Sequence, residues 1–164
     1  MSRITLPAAS RVGCIRSNNE DMVFAYDKFV RSDAYQTEFM TENSERFLIA
    51  LADGMGGHNA GEVASEQTLS SLKFFINDIP RGFSVGEFEE TMMEWLQFIS
   101  DSINRRGHAD PSLRDMGTTL IAVIFYGGKY YWLNCGDSRL YRLRDGKLLQ
   151  LSTDHSLSNA RGAS

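Results

Sequence analysis

The stretch FLIALADGMGGH, residues 47–58, carries the most informative pattern in the sequence. Every residue before Asp53 is apolar, and such a run predicts a β-strand covered on both faces. The run stops at Asp53, and a carboxylate at the end of a buried strand is costly unless a cation or several donors meet it. The glycines at 54, 56 and 57 allow a sharp turn there and keep side chains away from that end of the strand.

Two helices are predicted after this strand. Residues 61–79 place apolar side chains at helical spacing. The second helix begins with a capping box at Ser84 and Glu87, flanked by a hydrophobic staple. Its apolar stripe comprises Phe88, Met92, Trp95, Leu96, Ile99 and Ile103, and it ends near Gly107. We interpret this stripe as core packing rather than as a cofactor site.

The rest of the chain is predicted to be mostly β-structure. The N-terminal segment suggests two short strands around a polar turn at residues 17–19, and residues 31–45 are polar enough for an exposed loop. Two hairpins are signalled by Gly127-Gly128 and Asp145-Gly146. Strands, two adjacent helices and an antiparallel meander favour one layered α+β domain over residues 1–164 rather than a Rossmann alternation.

Composition excludes several classes of protein. The chain has 164 residues and a formal net charge of −4, so nothing suggests a nucleic-acid or membrane surface. No apolar stretch approaches the ~20 residues needed to span a bilayer, and the first residues lack the apolar core of a signal peptide. These features indicate a cytoplasmic protein. Cys14 and Cys135 lie in strand-like contexts and are predicted to be buried thiols.

Carboxylates follow strand-like segments at three places. Asp53 is the first, the pair Glu20 and Asp21 is the second, and Asp137 in NCGDSRLY is the third. If these side chains converge, their mutual repulsion raises their pKa values, and divalent ions relieve it. Mg²⁺ and Mn²⁺ prefer such oxygen ligands, including the close backbone carbonyl that Gly54 can offer. Each element also has a simpler interpretation: a β-turn, a solvated polar loop, or an Asp137 pair with Arg139.

Arg16 extends this pattern toward phosphate chemistry. It lies four residues before Glu20, and a guanidinium can hold a phosphate through two hydrogen bonds. Carboxylates around two ions about 3.5–4 Å apart can activate a water and hold a phosphoryl group for in-line attack. A surface arginine beside a polar turn remains the alternative.

Four blocks in this order resemble a known family: RSNNED, LADGMGGHNAGEVAS, DMGTTL and LNCGDSRLYRLRDGKLLQLSTDHS. Together they resemble the bacterial branch of the type 2C, metal-dependent protein serine/threonine phosphatases. The resemblance implies a four-layer α/β/β/α sandwich of two antiparallel sheets with helices outside. It also implies hydrolysis of phosphoserine and phosphothreonine by a water activated by two Mn²⁺ or Mg²⁺ ions, with a third ion in some members.

The same resemblance assigns roles to individual residues. Asp53 matches the bridging metal ligand and Gly54 the carbonyl ligand, while Glu20 and Asp21 match the acidic pair near the second ion. Arg16 matches the arginine that binds the substrate phosphate, and Asp137 matches an acid of the third, weaker metal site. His58 is either a general acid or a structural histidine at the start of the helix. We interpret His108 and His155 as structural.

One departure from the family pattern affects the expected activity. The family continues beyond TDHS with two further metal-binding aspartates, whereas this sequence ends at NARGAS. We therefore expect an incomplete catalytic domain, an incomplete metal shell, unpaired sheet edges that favour association, and weak or absent turnover.

Two other functions remain open on the sequence. A non-catalytic module would bind a phosphoprotein or a metal without turnover. The glycines faintly resemble the Gly box of histidine-kinase-type ATPases, but that site needs an asparagine-bearing helix upstream, where strands are predicted here. If the chain is a phosphatase, its partners are phosphoserine and phosphothreonine proteins, including a cognate kinase and its substrates.

Overall fold

The computed structural model describes residues 2–41, 46–56 and 59–155. It contains ten strands: β1 (Ser2–Ala9), β2 (Asp21–Ala25), β3 (Lys28–Val30), β4 (Ala34–Thr41), β5 (Phe47–Met55), β6 (Gly117–Thr118), β7 (Leu120–Tyr126), β8 (Lys129–Cys135), β9 (Tyr141–Arg144) and β10 (Lys147–Gln150). The helices are α1 (Ala60–Asp78) and α2 (Val85–Ala109), and a short 3-10 turn follows at Pro111–Leu113.

The central sheet is antiparallel and has six strands. Its order is β3-β2-β5-β7-β8, and the short β6 pairs with the end of β5. β5 therefore lies inside the sheet, with Ala50 opposite Phe24 of β2 and opposite Ala122 of β7. This position explains the continuous apolar run, because a central strand is covered by neighbouring layers on both faces.

Both helices pack on one face of this sheet. The shared core includes Phe24 and Leu48 from the strands, Leu69 from α1, and Phe88 from α2, and all four side chains are buried. On the opposite face, Val23 and Val30 pack against Leu6, Ala8 and Tyr35 of the separate β1–β4 sheet. The described residues thus form three of the four expected layers, and the predicted α+β class of packed antiparallel sheets with helices is confirmed.

The capping box predicted for α2 is present. The Glu87 backbone N–H donates to Ser84 Oγ, and the Ser84 backbone N–H donates to Glu87 Oε2 at 2.8 Å. These bonds satisfy donors that would otherwise be unpaired at the helix start, which is why local sequence is enough to predict this boundary. Among the described residues, no helix combines the length and apolarity needed to span a bilayer.

Three local predictions are wrong. Most of residues 31–45 is not a loop, because Ala34–Thr41 forms β4 and pairs along its full length with β1. The turn expected at residues 17–19 belongs to a longer irregular segment between β1 and β2. Cys14 and Cys135 are both exposed and form no disulfide. Cys14 lies in the irregular segment between β1 and β2, and Cys135 is the last residue of β8, a strand at the edge of the sheet.

Candidate functional site

Asp53 lies at the end of β5 where three segments meet. Directly opposite it on β2 is Asp21. From the β6–β7 side, Thr118 Oγ1 and the Thr119 backbone N–H donate to the Asp53 carbonyl at 3.0 and 2.9 Å, and the Asp53 N–H donates to Thr119 Oγ1 at 3.2 Å. The backbone of Asp53 is therefore held by three hydrogen bonds from the β6–β7 side, and its carboxylate faces a second carboxylate on the β2 side.

The electrostatics of this position are unfavourable for an ionised carboxylate. Burial raises the pKa of Asp53 above its ordinary value, and Asp21 raises it further through its charge and a side-chain hydrogen bond. Asp137 adds a smaller effect in the same direction, and Arg16 opposes them by lowering the pKa. Three of the predicted site residues thus shift the pKa of the fourth, Asp53.

Gly54 makes a backbone contact that the sequence did not reveal. A Cβ built on Gly54 would lie 2.0 Å from the Gly61 carbonyl oxygen, in the first turn of α1. Its own N–H donates to the Glu20 carbonyl at 3.3 Å. The missing side chain thus lets β5 end directly against the start of α1, and the role of the Gly54 carbonyl as a metal ligand stays a prediction.

Glu20 is buried but is oriented differently from Asp21. Its carboxylate pairs with the Arg16 guanidinium and lies next to Gly61, where a built Cβ would come within 2.8 Å of Glu20 Oε1. The expected convergence of Glu20, Asp21 and Asp53 is therefore met by the last two only. Across residues 2–41, 46–56 and 59–155, no three His, Cys, Asp or Glu side chains come together in a way that could hold an ion.

Arg16 lies in the irregular segment before β2, not on a strand. Its side chain is 69% exposed apart from the contact with Glu20. Together with Ile15, Met55 and Gly56 it lines a cavity of about 450 Å³ beside the end of β5. A guanidinium at the wall of an open cavity is accessible to an anionic ligand.

Asp137 is exposed in the turn that follows β8. The alternative pairing with Arg139 is not observed, because Arg139 Nε donates to both carboxylate oxygens of Asp154, at 3.0 and 2.9 Å. That contact raises the pKa of Arg139 and lowers the pKa of Asp154. Asp137 acts on Asp53 through its charge, which raises the pKa of Asp53.

Two of the three histidines, His108 and His155, lie in the described part of the chain. His58 lies outside the described residues, so its role stays a prediction. His108, near the end of α2, places Nδ1 2.6 Å from the Asn104 carbonyl oxygen. The His155 backbone N–H donates to the Gly136 carbonyl at 2.9 Å and so closes the turn that carries Asp137.

Sequence reasoning missed the residues that hold the acidic side chains in place. Arg31 donates to the Asn19 and Glu62 carbonyls at 2.7 and 3.0 Å and to Ser65 Oγ at 3.1 Å. Ser65 Oγ in turn donates to the Glu20 carbonyl at 2.7 Å. Nothing in the local pattern marks Arg31, because its acceptors come from two distant segments. Thr119 had a signal, since the Thr pair begins an apolar run much as Asp53 ends one.

Comparison with known proteins shows the family to which this chain belongs. The family model for protein phosphatase 2C matches residues 25–161. The serine/threonine protein phosphatase PstP of Mycobacterium tuberculosis is 36% identical over 158 residues, which is 94% of this chain and 26% of PstP. Protein phosphatase PhpP of Streptococcus pneumoniae is 34% identical over 148 residues, which is 90% of this chain and 54% of PhpP.

Solved structures show the same fold. The catalytic domain of PstP in complex with two manganese ions superposes with a TM-score of 0.70 at 32% identity, covering 96% of this chain and 58% of that one. The serine/threonine phosphatase of S. agalactiae gives a TM-score of 0.73 at 30% identity, covering 97% and 58%. This chain therefore spans little more than half of the matched structures.

Proposed function

The chain belongs to the protein phosphatase 2C family, and we propose that it functions as a metal-dependent protein serine/threonine phosphatase. The observation that carries the proposal is the pair of carboxylates that face each other, Asp21 and Asp53, with Asp137 nearby. Facing carboxylates are destabilising on adjacent strands. Their position beside a cavity that contains an arginine is explained if the acids bind a cation and the arginine binds an anion.

The donor set fits Mn²⁺ or Mg²⁺. It consists of oxygen atoms only, and a divalent cation placed between Asp21 and Asp53 would remove the repulsion that raises the pKa of Asp53. We propose Asp53, Asp21, Asp137 and the Gly54 carbonyl as the part of the metal site that this chain supplies, whereas Glu20, expected as a further ligand, pairs with Arg16. A bound ion supplies Lewis-acid chemistry that makes water a nucleophile at neutral pH.

The remaining roles follow from charge and position. Arg16 is proposed to bind the substrate phosphate, because it is accessible in the cavity and its charge reaches Asp53. It would bring the phosphorus toward the carboxylates and offset the phosphate charge. Glu20 holds Arg16 in this position through their ion pair. His58 is proposed as a general acid for the leaving oxygen.

The proposed substrates are proteins phosphorylated on serine or threonine, among them a cognate kinase and its targets in the cytoplasm. The similarity to protein phosphatases PstP and PhpP supports the activity, and the name of PstP as a serine/threonine protein phosphatase supports the serine/threonine class. The structure of PstP with manganese supports metal dependence. Our assignment to Mn²⁺ or Mg²⁺ leaves both ions as candidates, because both accept the same oxygen ligands.

Release of p-nitrophenol from p-nitrophenyl phosphate tests the proposal. Because the metal shell is incomplete, we expect weak but Mn²⁺-dependent release from the chain and a fall to the metal-free background in Asp53→Asn. Asp78→Asn is the matched control, since Asp78 is an exposed residue at the end of α1, and it should keep the activity. Equal rates in Asp53→Asn and in the unaltered chain would contradict the assignment.

One observation favours a second candidate, a module that binds a metal or phosphoprotein without turnover. The described residues bring two carboxylates directly together rather than three, so the metal shell that they provide is weak. This function predicts that Mn²⁺ binding is measurable by calorimetry while phosphate release from the ester and from phosphothreonine peptides stays at background.

A further inference from the structure

Thr119 connects the two strand ends that carry acidic residues. It lies between β6 and β7, and its Oγ1 accepts from the Asp53 N–H at 3.2 Å. The same oxygen lies 2.8 Å from Ser138 Oγ, in the residue directly after Asp137. A hydroxyl has one hydrogen and two lone pairs, so it can accept from Asp53 and bond to Ser138 at the same time.

The methyl group of Thr119 contacts the same turn. Gly136 has a φ of +107°, and a Cβ built on it would lie 2.7 Å from Thr119 Cγ2. Gly136, directly before Asp137, therefore packs against the methyl group of Thr119, while the hydroxyl of Thr119 bonds to Ser138, directly after Asp137. Serine would lose the first contact and valine the second, so the two functions of the side chain can be separated.

We infer that Thr119 is a positioning residue that sets where Asp137 lies relative to Asp53, acting through Ser138. The inference rests on the proposed function in that Asp53 and Asp137 are taken as metal ligands. Thr119 is proposed to act through its bonds to Asp53 and Ser138 and not as a metal ligand. Partners of metal ligands typically change metal affinity by 10–100-fold when they are removed, which is the size of effect expected here.

The first test is calorimetric titration of Mn²⁺ into the full chain. We expect Thr119→Val to bind Mn²⁺ about 10-fold more weakly and Thr119→Ser, which keeps the hydroxyl, to stay close to the unaltered chain. Ser138→Ala should resemble Thr119→Val, and the double variant should be no weaker than either single one. Thr68→Val is the control for the substitution itself, because Thr68 Oγ1 is buried on α1 and has no hydrogen-bond partner within the described part of the chain.

The second test needs no metal and so separates the two hypotheses. Thr119→Val removes the acceptor of the Asp53 N–H. Amide exchange at Asp53 should therefore become at least several-fold faster, and the NMR signals of Asp137 and Ser138 should shift. Thr119→Ser should restore the slow exchange. If Thr119→Val leaves the amide exchange, the NMR signals and the Mn²⁺ affinity unchanged, the inference is wrong. If neither the unaltered chain nor any variant binds Mn²⁺, the proposed metal site is wrong. In that case the exchange data still decide the role of Thr119.

Discussion

The ends of β5 and β8 look alike in sequence but are held differently. Each carries an adjacent glycine and aspartate: Asp53 and Gly54 lie near the end of β5, and Gly136 and Asp137 directly follow β8. At β5, Gly54 is buried against the backbone of Gly61, and the neighbouring loop is secured by Arg31. At β8, Gly136 contacts a side chain, and the surface pair Arg139–Asp154 secures the following segment. The same sequence signal therefore corresponds to a rigid junction in one place and a more adaptable one in the other.

Gly54→Ala should have the largest effect. Its added Cβ would meet the Gly61 carbonyl oxygen at 2.0 Å and the Glu20 carbonyl oxygen at 2.8 Å, and backbone atoms cannot move aside as a flexible side chain can. We expect a loss of at least about 4 kcal/mol, the range of exceptional substitutions, measured as a loss of the cooperative thermal transition by circular dichroism.

Gly86→Ala provides the matched control for that substitution. Gly86 lies in α2, and a Cβ built on it meets nothing within 4 Å. Alanine is favoured over glycine inside a helix by roughly 0.5–1 kcal/mol, so this variant should melt at a slightly higher temperature. A Gly54→Ala variant that melts within a few degrees of the unaltered chain would show that the junction is not rigid.

Arg31→Met should have the next largest effect and sharpens the contrast between the two junctions. It removes a charged donor from two carbonyls and from Ser65 in a partly buried site. Hydrogen bonds to charged groups contribute about 1.5–3 kcal/mol, and urea unfolding should show a loss of that size.

Arg139→Met is the corresponding change at β8. Arg139 is half exposed and can be screened by water in its ion pair with Asp154, so urea unfolding should show a smaller loss of stability than in Arg31→Met. Equal losses in the two arginine variants would remove the proposed difference between the junctions.

Gly136→Ala should have an intermediate effect. The φ of +107° strains any residue with a Cβ, and the new methyl would lie 2.7 Å from Thr119 Cγ2. Such strain costs about 1–3 kcal/mol. Adding Thr119→Ser should restore only part of the loss in thermal stability, because it removes the methyl contact and leaves the backbone strain. Full restoration would mean that the backbone at Gly136 is not strained.

The sequence was sufficient where local pattern decides the structure. The run before Asp53 and the Ser84–Glu87 box could be predicted because a continuous apolar segment and a capping pair need no distant partner. β4 was missed although its half-buried residues alternate, since the polar residues between them suggested a loop and only pairing with β1 reveals the strand. In the site, Asp53 and Asp137 could be found from their place at the ends of β5 and β8, whereas Glu20 and Asp21 lie at the start of β2 and not after a strand.

The supporting contacts could not be found in the same way. Arg31 reaches carbonyls in the loop before β2 and in α1, and carbonyl groups carry no mark in a sequence. The pairing of Glu20 with Arg16 and its close contact with Gly61 likewise depend on tertiary packing that the sequence does not show. Residue type therefore identifies candidate ligands, whereas tertiary packing determines which of them meet.

Asp53→Asn should have a small effect on stability, and it should be a gain in the metal-free chain. Because the folded state raises the pKa of Asp53, that state binds its proton more tightly than the unfolded chain does. The stability that the folded state gains from this tighter proton binding is complete below the pKa of the unfolded chain, near 4. It is lost as the pH rises through the raised pKa of the folded state. At neutral pH, asparagine removes the repulsion with Asp21, worth about 0.2–1 kcal/mol for facing residues.

Urea unfolding in EDTA between pH 4 and pH 8 measures this gain. The unaltered chain should lose stability across that range relative to Asp53→Asn, and Asp78→Asn should follow the unaltered chain. Adding Mn²⁺ should reverse the order, because a ligand that binds only the folded state stabilises the protein that retains the site. If Asp53→Asn is less stable than the unaltered chain without metal at neutral pH, the facing carboxylates are not in conflict, and the strongest argument for a cation at the end of β5 is lost.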